Sequence, residues 1–152
     1  MAETSSALPG QNGFVIEARG LTRHFGKIRA VDGVDLRVKV GETYGLLGPN
    51  GCGKTTLIRL LVGLLRPTAG EARVLDRTMP DREVLSQVGY MTQSEAIYQD
   101  LTIRENLQFF GRIYGVTSTQ RLREVLELVG LADRADSVVH TLSGGMRRRV
   151  SL

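Results

Sequence analysis

The stretch Gly48-Pro49-Asn50-Gly51-Cys52-Gly53-Lys54-Thr55 separates two segments of different periodicity. Before it, Thr43 to Leu47 is short and mostly apolar, which predicts a strand buried on both faces. After it, Leu57, Leu60, Leu61 and Leu64 recur at helical spacing and predict a helix from Lys54 to Leu65. The run Arg66-Pro67-Thr68-Ala69-Gly70 stops that helix. The pattern G-x-x-x-x-G-K-[ST] between a strand and a helix has a physical meaning. Gly48, Gly51 and Gly53 let the backbone curl so that successive N–H groups point inward, and the helix start adds its positive end. The loop is an anion cradle. In it Lys54 meets the β- and γ-phosphates of a nucleoside triphosphate, and the Thr55 hydroxyl reaches Mg2+.

Working outward, Val34 to Val40 alternates strictly between apolar and polar residues and predicts a strand with one wet face. Further strands are predicted at Glu71 to Leu75 and Val88 to Thr92, around a short helix from Arg82 to Gln87. Strand, helix, strand in this order predicts a parallel α/β sheet. Past Gln93 the character becomes helical. Thr102-Ile103-Arg104-Glu105 forms a capping box, with a helix running on to Tyr114 and Gly115. A second helix carries Leu122, Val125, Leu126 and Val129 on one stripe and ends at Gly130.

Leu142-Ser143-Gly144-Gly145-Met146 reads as an N-capped helix start with exposed N–H groups. Together with the phosphate loop, it makes the sequence resemble the ATP-binding-cassette family. These are nucleotide-binding subunits of membrane transporters whose signature is Leu-Ser-Gly-Gly-Gln. The resemblance runs from about Phe14 to Leu152. It implies a P-loop NTPase (RecA-like) α/β core, incomplete here, with a helical subdomain. The implied boundaries are a flexible tail at 1–13, the first part of the ATP-binding core at 14–93, the helical subdomain at 94–141, and the signature with the start of its helix at 142–152.

The resemblance also assigns residues. Phe25 stands where an aromatic side chain stacks on adenine. Gly48, Pro49, Asn50, Gly51, Cys52, Gly53, Lys54, Thr55 and Thr56 hold the phosphates. Gln93 stands in the glutamine loop that reaches Mg2+ and the attacking water. Ser143, Gly144 and Gly145 close on the ATP of a second nucleotide-binding subunit, which implies a head-to-tail dimer. Residues 94–107 stand where a transmembrane permease docks, so the implied location is cytoplasmic, at the inner face of the membrane. Met146 departs from the signature Gln, as in the drug- and lipid-exporter branch, and export is the implied task. The family's Walker B carboxylates and switch histidine are not assignable in these residues. The implied ATPase activity is therefore not expected of this stretch alone, and its buried strands are expected to keep an uncovered face or edge. Two other readings stay open: a soluble cassette ATPase acting on ribosomes or DNA, and a non-hydrolysing nucleotide-binding module.

Composition fits this reading. The 152 residues are 41% hydrophobic and 24% charged, which excludes disorder throughout, and one cysteine, Cys52, excludes a disulfide scaffold. The excess of basic over acidic residues, 20 against 16, is mild, and no basic stripe interleaves with aromatics, so no nucleic-acid partner is expected. His24 and His140 are expected on the surface or in packing. Arg147-Arg148-Arg149 spans most of a helical turn, which predicts a solvated helix start with one arginine directed inward.

Overall fold

A computed structural model describes residues 13–92 and 96–152. Gln93 and nearly all of the expected 1–13 tail lie outside the described residues. The chain divides into two compact units, Met1–Tyr90 and Met91–Leu152.

The first unit is built on a long hairpin. Strand β1 (Phe14–Phe25) and strand β2 (Ile28–Lys39) pair antiparallel through a two-residue connection at Gly26-Lys27, where Gly26 takes φ +59°. The alternation at residues 34–40 is the second half of β2, with Leu36 and Val38 buried. Its first half carries no such alternation because the pairing shifts register near Gly33, breaking the period of two. Strand β3 (Ala69–Val74) and the short strand β4 (Arg77–Thr78) complete a sheet of order β2-β1-β3-β4. Helix α1 (Lys54–Leu61) buries Leu57, Leu60 and Leu61 in a core with Ala18, Leu21, Leu36, Val38 and Val74. It ends four residues before the expected Leu65. Val62 closes it and Gly63 takes φ +70°, so Leu64 leaves the stripe and is exposed. Helix α2 (Arg82–Leu85) starts at Asp81, whose carboxylate accepts from the N–H groups of Glu83 and Val84.

The expected parallel sheet is corrected: every strand pair among the described residues is antiparallel. Neither Thr43–Leu47 nor Val88–Thr92 joins a ladder, and Leu47 is 96% exposed. An apolar run expresses a need for burial, but a strand forms only where another strand takes up its backbone groups. Leu46 and Val88 pack against the first core, but no described strand pairs its backbone with either segment.

The second unit is helical, with α3 (Ile103–Ile113), α4 (Thr119–Leu128) and α5 (Gly144–Val150) joined by 3-10 turns at Ala132–Arg134 and Val139–Thr141. The capping box forms as expected. The Thr102 hydroxyl accepts from the Glu105 N–H, and the Glu105 carboxylate accepts from the Thr102 N–H. Ile103, Leu126, Leu131, Val139 and Leu142 make a second core. Asn106, fully buried beside it, accepts from the Tyr98 N–H and donates to the carbonyls of Tyr98 and Thr102, so its whole carboxamide is used. Arg104 grips Asp136 with two hydrogen bonds of 2.7 and 3.1 Å. Among the described residues no helix is long and apolar enough to cross a membrane.

Two carboxylates give this unit an acid limit. The Thr102 N–H and hydroxyl hold Glu105 below its ordinary range, and the Arg104 hydrogen bonds do the same for Asp136. Groups with lowered native pKa contribute stability above their unfolded pKa and lose it as pH falls through the native one. The thermal midpoint of the helical unit should therefore fall as pH drops through and below the ordinary carboxylate range. In the double variant Glu105→Gln, Asp136→Asn that fall should be shallower. Identical pH slopes in both proteins would refute the assignment.

Candidate functional site

The loop from Gly48 to Gly53 turns directly into α1, and two of its glycines have no substitute. Gly53, at φ +94°, lies against the Ala30 carbonyl of β2, where a Cβ would collide with that oxygen. Gly48, at φ +154°, faces Cys52, and a Cβ there would come within 2.8 Å of its Sγ. Both torsions lie where L side chains are strained. Gly53 is also the N-cap of α1 and offers no side-chain acceptor, and no acidic residue occupies the first turn. The positive end of the helix is therefore uncompensated by any side chain.

Lys54 folds back over this loop. Its ammonium donates to the carbonyls of Gly48 (2.7 Å) and Pro49 (2.8 Å) and lies 3.7 Å from the Cys52 Sγ. The loop thus carries a fixed positive charge at its mouth. Thr55 is exposed at the helix start, while Thr56 is half-buried one residue on.

Phe25 belongs to the same unit. It ends β1 and pairs with Ile28, two residues before the Ala30 that touches Gly53. Two residues of strand span about 7 Å, so the hairpin tip carries Phe25 at the end of the sheet where the loop lies. Its ring is 43% exposed, and the Arg23 guanidinium sits 4.7 Å from the ring centroid. Sequence reasoning passed over Arg23. The available signal was its place two residues before Phe25, on the same face of a strand.

The signature residues stand in the second unit. Ser143 caps α5, its hydroxyl accepting from the Met146 N–H, and Ser143, Gly144 and Gly145 are exposed. Met146 is half-buried against the second core, where an apolar side chain packs in place of the signature Gln. The helix start is exposed with Arg147 half-buried and Arg148 and Arg149 exposed, which agrees with one arginine directed inward, but the spacing does not predict the contacts these side chains make. All three side chains donate to backbone carbonyls: Arg147 to Leu142 (3.0 Å), Arg148 to Thr92 (2.6 Å), and Arg149 to Val129 (2.9 Å) and Gly130 (3.3 Å). Side chains splayed around a helix each meet a different neighbouring segment, and helical periodicity carries no information about carbonyls. His24 is half-buried in β1, and the His140 Nδ1 lies 3.3 Å from the Gln99 carbonyl.

Residues 31–152 match the ABC transporter family. The chain belongs to that family. This cassette is 39% identical over 143 residues to the Nod factor export ATP-binding protein I of Ralstonia nicotianae, a match covering 91% of the chain and 44% of the relative. It is 42% identical over 146 residues to the daunorubicin resistance ATP-binding protein of Streptomyces coeruleorubidus, covering 93% of the chain and 45% of the relative. The cassette therefore spans about half the length of these relatives. Among solved structures, the ATP-binding subunit of an ABC transporter superposes with TM-score 0.76 at 27% identity, covering 90% of this chain and 59% of that one. An ATP-binding cassette solved in its ADP conformation superposes with TM-score 0.73 at 24% identity, covering 91% and 62%. The fold is that of the P-loop cassettes, with its sheet incomplete in these residues.

The Gly53–Ala30 contact makes a direct prediction. Gly53→Ala should destabilise the first unit by about 1–3 kcal/mol through strain and collision, lowering its thermal midpoint by several degrees. Gly45→Ala, which meets nothing within 4 Å, should leave the midpoint nearly unchanged. Equal midpoints for the two variants would contradict the close approach.

Proposed function

We propose that this cassette is the ATP-binding part of an ABC exporter, coupling nucleotide binding and hydrolysis in the whole protein to export of a substrate. The observation that carries this reading is the Lys54 ammonium, pinned over a glycine loop at a helix start without a side-chain cap. A polyphosphate offers that ammonium and the loop N–H groups stronger, charged acceptors than the carbonyls it now holds. Gly48, Pro49, Asn50, Gly51, Cys52, Gly53, Lys54, Thr55 and Thr56 supply the phosphate contacts, and Phe25 supplies a flat face for adenine.

The donor set fits Mg2+ as well. The exposed Thr55 hydroxyl would be one hard oxygen ligand at the helix start, and magnesium takes few protein ligands beside phosphates and water. Gln93 is proposed as a second ligand. When bound, the ion draws charge from the phosphate oxygens; binding and orienting those phosphates falls to Lys54 and the loop amides.

Ser143, Gly144 and Gly145 are proposed to close on the triphosphate held by a second nucleotide-binding subunit, forming a head-to-tail pair. ATP would favour the closed pair because both donor sets bind its γ-phosphate there, and loss of that phosphate would release it. Docking to a transmembrane permease through about residues 94–107 is supported by the exposed aromatic rings of Tyr98 and Phe109 nearby. That contact would hold the cassette at the cytoplasmic face of the membrane. Relatives named for Nod factor export and daunorubicin resistance favour export as the direction.

Two variants test the division of labour. Lys54→Ala should weaken ATP binding at least tenfold, a loss of about 1.4 kcal/mol or more, as measured by titration calorimetry. Ser143→Ala should leave ATP binding to the monomer unchanged while weakening ATP-dependent self-association in sedimentation. Equal loss of monomer binding in both variants would contradict the proposal.

A further inference from the structure

We propose that Arg23 is a positioning residue for the nucleotide base: it locks the Phe25 ring by covering one face, leaving the other as the stacking surface. This inference rests on the reading of Phe25 as the adenine platform and adds the group that orients it.

Phe25 by itself is poorly held. It is the last residue of β1, followed by the positive-φ turn at Gly26, and much of its ring is in solvent. A ring at a strand end would sample several rotamers, and a base stacking on it would bear the cost of ordering it. Arg23 removes that freedom. Residues two apart on a strand share a face, so the Arg23 side chain lies alongside the ring, and its guanidinium carbon is 4.7 Å from the ring centroid.

The guanidinium is itself anchored. One Nη donates to the Arg66 carbonyl at 2.9 Å, in the segment that leaves α1. That segment is tied to β1 twice more: the Thr68 N–H donates to the Thr22 carbonyl, and the His24 N–H donates to the Thr68 hydroxyl. The Arg23 Nε is buried with no hydrogen-bond partner among the described residues. A guanidinium free to choose would turn that donor toward an acceptor or water. Here the plane is held between a carbonyl and a ring, in an arrangement that serves the ring. With the guanidinium carbon over one face of the ring, the second face is the one assigned to the base, in the order guanidinium, phenyl ring, base.

The test separates base from phosphate. Titrations of Mg2+-ATP and of inorganic triphosphate into the chain would compare the original protein with Arg23→Met, Arg23→Lys, Phe25→Ala and Arg23→Met/Phe25→Ala. Lysine keeps a positive charge at position 23 without the planar, multiply donating guanidinium, so it serves if methionine perturbs folding. Both Arg23 variants should bind ATP roughly two- to fivefold more weakly, with triphosphate affinity unchanged. In the Phe25→Ala background, Arg23→Met should cause no further loss, because Arg23 acts through the ring. Parallel losses for ATP and triphosphate, or an Arg23 effect that persists without Phe25, would show general charge attraction and overturn the inference. ATP affinity equal to or above the original in either Arg23 variant would overturn it as well. If Phe25→Ala bound ATP as tightly as the original, the base-stacking reading would be the one that fails.

Discussion

The loop before α1 depends on one close approach, the α-carbon of Gly53 against the carbonyl of Ala30. Because no side chain intervenes, the end of the phosphate loop lies directly on the β1–β2 hairpin. That contact sets where α1 begins and brings the hairpin tip with Phe25 to the same end of the sheet. It also leaves Lys54, the next residue, free to reach back across the loop. A cradle for an anion needs convergent donors and a backbone that cannot relax away from them. The glycine contact supplies the second, and the Lys54 ammonium with the capless helix start supplies the first.

The second unit obeys a similar rule with different groups. Backbone carbonyls at the ends of segments are taken up by long cationic side chains. Arg149 caps the carboxyl end of α4, Arg147 holds the carbonyl just before Ser143, and Arg148 holds that of Thr92. These three contacts fix α5 along its length, so the Ser143-Gly144-Gly145 tip has a defined direction even though it is solvent-exposed. A run of three like charges is therefore a brace here, and each charge is partly neutralised by the dipoles it meets.

The parts of the structure legible in the sequence are those written in local chemistry. The phosphate loop, the Thr102–Glu105 capping box, the Ser143 cap and the strand alternation at residues 34–40 each depend on neighbours within a few positions. The parts that escaped depend on distant partners. The run Thr43–Leu47 announces burial but not what would cover it, and no strand forms there. The apolar period runs on to Leu64, past the Gly63 turn, so spacing alone makes α1 longer than it is. Arg23, Asn106 and the arginine brace act on carbonyls and ring faces that no spacing rule encodes.

The most direct test of the cradle uses its own cysteine. Cys52 is the sole thiol, exposed within the loop and 3.7 Å from the Lys54 ammonium. The ratio of its alkylation rates by a maleimide without and with ligand, taken within each protein, therefore reports occupancy of the loop. With Mg2+-ATP at ten times the Kd of the original protein, the account predicts labelling slowed by roughly tenfold, and slowed by about twofold or less in Lys54→Ala at the same ATP concentration. Labelling at the same rate with and without saturating ATP would contradict it.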